Sequence, residues 1–229
     1  MKRHDAAAIL VAGGQGLRFG GRVRKQYLTL CGHPLLWWPL RAFDQCRSIS
    51  MMVLVVPADD LARLRAAVPS WKLHKPVHVV IGGKTRADSV RQGLAALPPS
   101  IRWVAVHDAV RPLVTSPLIE KVLKAAQRSQ AAIAAMPSRD TVKLSRTNHT
   151  IERTLSRGTI WLAQTPQIFE RLLLERAHQK SHRSAVTDDA QLVERLGVRV
   201  KLVESPPDNL KVTLPSDFAM AQLLLKDRY

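Results

Sequence analysis

Short apolar runs alternate along this chain with stretches in which apolar residues recur at helical spacing. The runs Ala6–Val11, Met51–Val56, Val77–Ile81, Trp103–Val106 and Ala131–Met136 have the unbroken hydrophobicity of strands covered on both sides. Between them, Trp37–Asp44, Asp59–Ala67, Ala87–Leu97 and Pro117–Ser129 read as helices with one apolar face. Such alternation predicts an α/β fold, a mostly parallel sheet flanked by helices on both faces. Pro39 fits the first of these helices only in its first turn, or as a kink.

Beyond Met136 the rhythm changes. Thr141–Leu144 and Thr150–Leu155 are strand-like and flank the polar turn Ser145-Arg146-Thr147-Asn148-His149. This predicts a β-ribbon arm over roughly 139–157 that leaves the main body. The chain returns through helices at Leu172–Lys180 and Asp188–Leu196, a strand at Val198–Val203 and a last helix at Pro215–Leu225. Asp208–Thr213 reads as a loop entering a short strand. With no repeat or flexible linker, residues 1–229 are expected to form a single domain.

Composition narrows the class. The chain has 229 residues and 46% apolar content, ample for a core. No apolar stretch approaches the roughly 18 residues of a membrane span. Met1-Lys2-Arg3-His4-Asp5 leads directly into the first strand without a secretory h-region. Cys31 and Cys46 lack metal-ligand spacing and read as reduced core thiols, so a cytoplasmic protein is expected. Charge is the unusual property: 35 Lys+Arg against 18 Asp+Glu give +17. A nucleic-acid partner must then be considered. The cations are spread along the chain, aromatics are only 5%, and no recognition helix, RNP motif or zinc finger is present. The excess charge therefore reads as a field for small anions, with no specific nucleic acid.

The candidate chemistry gathers at strand ends, where open α/β sheets bind ligands. The first strand empties into Gly13, Gly14, Gln15 and Gly16, followed by Arg18 and then Lys25. Glycines let backbone N–H groups crowd an anion, and two cations beside them suit a polyphosphate. The Walker pattern is absent, and Phe19 stands where a dinucleotide fingerprint needs its third glycine. Gly82-Gly83-Lys84-Thr85-Arg86-Ala87-Asp88-Ser89 follows the third strand, His107-Asp108-Ala109-Val110-Arg111-Pro112 the fourth and Arg139-Asp140-Thr141 the fifth. Asp108 reads as a ligand to a metal or hydroxyl group, or as a helix N-cap, and His107 as a structurally satisfied histidine. Thr187-Asp188-Asp189 reads as an N-cap with acids in the first helical turn, and Thr187 is also placed to meet a phosphate. Trp37 and Trp38 read as core or interface packing.

Taken together, AGGQGLRFG, RKQYL, GGKTRADSV, HDAVRP, RDTVK, Arg157 with Gln164-Thr165-Pro166-Gln167, TDDA and DNLKVTLPSDF resemble the 2-C-methyl-D-erythritol 4-phosphate cytidylyltransferase family nearly end to end. The resemblance implies a Rossmann-like nucleotidyltransferase fold and a Mg²⁺-assisted reaction of CTP with 2-C-methyl-D-erythritol 4-phosphate. It assigns Arg18, Lys25, Arg157 and Lys211 to catalysis. Gly13, Gly14, Gln15, Gly16, Gly82, Gly83 and Ser89 would hold the nucleotide. Asp108, Arg111, Thr141, Thr165 and Thr187, with Lys211, would hold the acceptor, and Asp108 is the candidate metal ligand unless the metal rides on the CTP phosphates. It also implies a homodimer in which the arm carries Thr141 and Arg157 into the partner's site. A cytidylyltransferase for ribitol 5-phosphate shares the opening motif and HD-x-VRP; Asp140-Thr141 and Asn209–Thr213 lean towards methylerythritol phosphate.

Overall fold

The computed structural model describes residues 5–13, 23–180 and 186–228. Its strands and α-helices follow one another as β1 (Ala6–Val11), β2 (Thr29–Leu30), β3 (His33–Pro34), α1 (Trp37–Gln45), β4 (Ile49–Val56), α2 (Leu61–Ala67), β5 (Val77–Ile81), α3 (Arg86–Ala95), β6 (Trp103–Asp108), α4 (Ser116–Ser129), β7 (Ala131–Pro137), β8 (Lys143–Ser145), β9 (Ile151–Thr154), β10 (Trp161–Glu170), α5 (Arg171–Lys180), α6 (Asp189–Glu194), β11 (Lys201–Glu204) and α7 (Pro215–Lys226). Among the described residues one sheet has seven strands in the order β11-β7-β10-β6-β1-β4-β5. β10 runs antiparallel to both of its neighbours; the remaining pairings are parallel.

The apolar runs form strands because alternate residues serve opposite layers. Ala6, Ala8 and Leu10 face α1, α2 and α4 with Leu40, Phe43, Leu64 and Ile119. Ala7 and Ile9 face α3, α5 and α6 with Val90, Leu94, Leu174 and Val193. Truncating a fully buried residue such as Phe43 to alanine would cost about 3–5 kcal/mol. A satellite core under β2, β3 and α7 encloses Trp37, Trp38, Leu113 and Val212. The Trp38 indole donates to the Leu30 carbonyl at 2.9 Å, so both tryptophans pack internally. Pro39 occupies the first turn of α1, where its missing N–H would have lacked an intrahelical partner anyway.

Three expectations need correction, and one strand lies outside the predicted elements. The apolar pattern does not reveal β10, a ten-residue strand, because Gln164, Thr165, Pro166 and Gln167 interrupt it. Its register to β7 jumps between Ala163 and Gln167, and this irregularity lets a proline enter the interior of a sheet. Asp208–Thr213 enters no strand; isolated bonds such as Val212 N–H to the Val110 carbonyl at 2.9 Å hold it as a loop. Cys31 is half-buried rather than in the core. Cys46 is buried, and burial together with Glu120, 3.1 Å away, pushes its thiol up to about 12. The N-cap of α6 is Asp188, which accepts from Gln191 N–H, and Asp189 is buried instead of lying on a solvated first turn.

The arm leaves the sheet between β7 and β10. Its two strands pair only with each other among the described residues, and every residue of both is exposed.

Candidate active site

The C-terminal ends of β1, β4, β5 and β6 converge on a cavity of about 820 Å³, within the range of small-molecule sites. Lys25, Gly13, Gly82, Gly83, Lys84, Ser89, Arg86, Asp108 and Lys211 are among the residues that line it. Lys25 opens a single 3-10 turn, Lys25–Tyr27. Gln26 pins that turn to the end of β1 by donating to the Ala12 carbonyl at 2.8 Å. Asp60 holds its other side, accepting from Arg24 and from the Tyr27 hydroxyl at 2.8 Å.

The loop after β5 is drawn tight around Ser89. Gly83 N–H donates to Ser89 Oγ at 3.2 Å, and that hydroxyl donates to the Thr85 carbonyl at 3.0 Å. A Cβ on Gly83 would fall 2.2 Å from Asp88 Cβ, and one on Gly82 would fall 2.8 Å from Ser89 Oγ. Both glycines are therefore required by close approach. Thr85 and Asp88 form a reciprocal capping box at the start of α3, which fixes the loop relative to the helix.

Asp108 is the hub. Arg86 Nε lies 3.2 Å from Oδ1, Lys211 Nζ 2.8 Å from Oδ2 and Arg111 Nε 4.0 Å from Oδ2. Burial alone would raise this carboxyl, but Arg86, Lys211 and Arg111 outweigh burial and hold it well below the usual carboxylate range. Arg111 is itself buried and donates through Nη1 to the Asn209 carbonyl at 2.8 Å. Arg86 spends its other arm on Asp189, with Nη1 2.6 Å from Oδ2.

Behind Asp108, His107 and Thr165 form a satisfied buried pair. The His107 Nε2–H donates to the Arg111 carbonyl at 3.3 Å. Its bare Nδ1 then accepts from the Thr165 hydroxyl at 3.0 Å, whose oxygen accepts from Asp108 N–H at 3.1 Å. Burial drops the His107 pKa to about 3, so the ring is neutral, as its structural reading requires. Thr165 is therefore placed behind the carboxylate, outside the cavity lining.

A protein-built magnesium site does not fit here. Among the described residues no group of three His, Cys, Asp or Glu side chains comes together, and the Asp108 carboxylate already faces three cations. At Asp108 a divalent cation would have to enter against positive charge.

The other expected site residues are dispersed. Gly14, Gln15, Gly16 and Arg18 lie outside the described residues. Thr141 and Arg157 sit exposed on the arm, where Arg157 donates to the Arg139 carbonyl at 3.0 Å; neither lines the cavity. Thr187 is exposed, and its N–H meets Gln191 Oε1 at 3.1 Å. Sequence reasoning passed over Arg86 and Asp189. One signal was available: an arginine at the first position of a helix is opposed by the helix dipole, so a nearby carboxylate should compensate it.

The family model described as 2-C-methyl-D-erythritol 4-phosphate cytidylyltransferase matches residues 6–227. The chain belongs to this family. The enzyme of that name from Endomicrobium trichonymphae is 41% identical over 220 residues, spanning 96% of this chain and 98% of its own. The one from Syntrophus aciditrophicus is 42% identical over 222 residues, spanning 96% and 95%. The crystal structure of the 4-diphosphocytidyl-2C-methyl-D-erythritol synthase of Anaerococcus prevotii superimposes with a TM-score of 0.86 at 30% identity, covering 98% of this chain and 100% of that one. Family membership makes the chain a nucleotidyltransferase.

Proposed function

We propose that this chain transfers the cytidylyl group of CTP to 2-C-methyl-D-erythritol 4-phosphate in isoprenoid precursor synthesis, acting in the cytoplasm as a homodimer. The observation that carries the reading is the cavity itself. It joins Lys25 and the Gly82-Gly83 loop on one side to Asp108 and Lys211 on the other, in a chain of this family. A phosphomonoester oxygen of the acceptor attacks the α-phosphorus of CTP. The new P–O bond forms as the bond to the β-phosphate breaks and pyrophosphate leaves with the electron pair. The nucleophile is already an oxyanion, so positioning and charge neutralisation supply the catalysis.

Arg18 and Lys25 stabilise charge growing on the transferring and leaving phosphates, and the backbone from Gly13 to Gly16 supplies donors. Gly82, Gly83 and Ser89 border cytosine and ribose. Asp108 accepts from polyol hydroxyls, while Arg111, Lys211 and Thr187 attend the acceptor phosphate. Thr165 supports Asp108 from behind. Thr141 and Arg157 come from the partner's arm. Mg²⁺, when bound, would be held by the CTP phosphates and would neutralise part of their charge.

Pyrophosphate release tests the reading. Purified protein is supplied with CTP, UTP, ATP or GTP and a panel of sugar and polyol phosphates that includes ribitol 5-phosphate. The expected result is turnover with CTP and methylerythritol phosphate, UTP being a weak substitute. Equal rates with all four nucleotides, or faster turnover of ribitol 5-phosphate, contradict it.

A further inference from the structure

Two buried side chains beyond the cavity lining are tied to it through a single arginine. Asp189, at the start of α6, is 1% exposed and lines no part of the cavity. It accepts from Arg86 Nη1 at 2.6 Å and meets His178 Nε2 of α5 at 2.9 Å. Gln167 of β10 fixes the same corner, its Oε1 accepting from Asp189 N–H at 3.2 Å and from Ala190 N–H at 3.1 Å. Arg86 then presents Nε to Asp108 Oδ1 at 3.2 Å. The guanidinium is a rigid planar fork, so fixing one arm aims the other.

The two oxygens of Asp108 are thus served very differently. Oδ1 meets Arg86, which is held at its far side by buried groups, and Oδ2 meets Lys211, whose side chain is 44% exposed, with Arg111 Nε farther off at 4.0 Å. We propose that the buried His178–Asp189 pair is a positioning element for the acceptor: it aims Arg86, whose Nε holds Asp108 Oδ1 and so orients the carboxylate, paired through Oδ2 with Lys211, towards the polyol hydroxyls. The proposal rests on the reading that Asp108 touches the acceptor. Nucleotide affinity should not depend on the pair, because the Thr85–Asp88 capping box secures the loop after β5 independently of the Arg86 side chain.

The test compares Asp189→Asn, Asp108→Asn and the double variant, with steady-state KM measured separately for CTP and for methylerythritol phosphate. Asp189→Asn should raise the acceptor KM about threefold to tenfold and change the CTP KM less than about twofold. That effect should vanish in the Asp108→Asn background, as it must when one residue acts through the other. If Asp189→Asn does not fold, Arg86→Lys tests the same link, since the charge stays while the fork is lost; its expected KM pattern is the same. An unchanged acceptor KM in folded Asp189→Asn, a uniform fall in kcat with both KM values unmoved, or simple additivity in the double variant overturns the proposal while the site reading stands. An unchanged acceptor KM in Asp108→Asn overturns the site reading as well.

Discussion

The strand-end cavity and the arm both carry cations, but they hold them in opposite ways. In the cavity, Arg86, Arg111 and Lys211 converge on the Asp108 carboxylate, and Arg86 is anchored again by a buried acid. On the arm, Lys143 reaches Thr154 Oγ1 at 2.8 Å and Arg157 reaches the Arg139 carbonyl, both contacts staying inside the arm. Its apolar side chains are likewise uncovered, with Ile151 63% exposed. A two-stranded ribbon is marginal in water by itself. One region holds its cations in a buried network; the other leaves its strands uncovered among the described residues.

The largest effect should come from the two cations proposed to meet the triphosphate. Arg18→Met or Lys25→Met is expected to lower kcat roughly 100- to 1000-fold, far more than either raises the acceptor KM, because such cations act on transition-state charge. Near-normal kcat in a folded variant would remove the residue from catalysis. The arm should answer differently. Ile151→Ser is expected to weaken self-association, read by sedimentation as a higher dimer dissociation constant, with far-UV circular dichroism of the main body unchanged. Identical association of the variant and the parent would mean that the arm's apolar face is not an interface.

A smaller effect separates the two regions by pH. His107 is neutral in the fold with a pKa near 3, whereas an unfolded histidine takes up a proton near 6.5. The unfolded state therefore binds more protons as pH falls from 6.5 towards 3, and folding stability is lost across that window. The slope approaches about 1.4 kcal/mol per pH unit. The depressed carboxyls Asp108 and Asp189 contribute stability that is present above the unfolded carboxylate value near 3.9 and lost below it. Urea midpoints compared at pH 7 and pH 5 thus report on the histidine. His107→Gln should flatten the difference; an unaltered slope would show that another group carries it.

The two regions were also unequally readable from sequence. The apolar runs of the sheet declare themselves because each strand is buried on both faces; β1 and β5 match their predicted limits residue for residue. The ribbon was readable from its turn chemistry, though its strands pair over shorter spans than the alternation suggested. What stayed hidden was polar and long-range. β10 is masked by its own glutamines and proline, and those glutamines are buried because they bind other elements, as Gln167 binds α6. The Arg86–Asp189 link joins residues far apart in the chain, and no local pattern encodes it.

The most direct test of the account is complementation between two inactive variants, Arg18→Met and Arg157→Met. If each site takes Arg18 from its own chain and Arg157 from the partner's arm, a mixed dimer contains one site with both arginines and one with neither. Co-refolding the two should restore part of the pyrophosphate release that each lacks alone. No recovery despite demonstrated subunit exchange would place Arg157 in the site of its own chain and contradict the composite site.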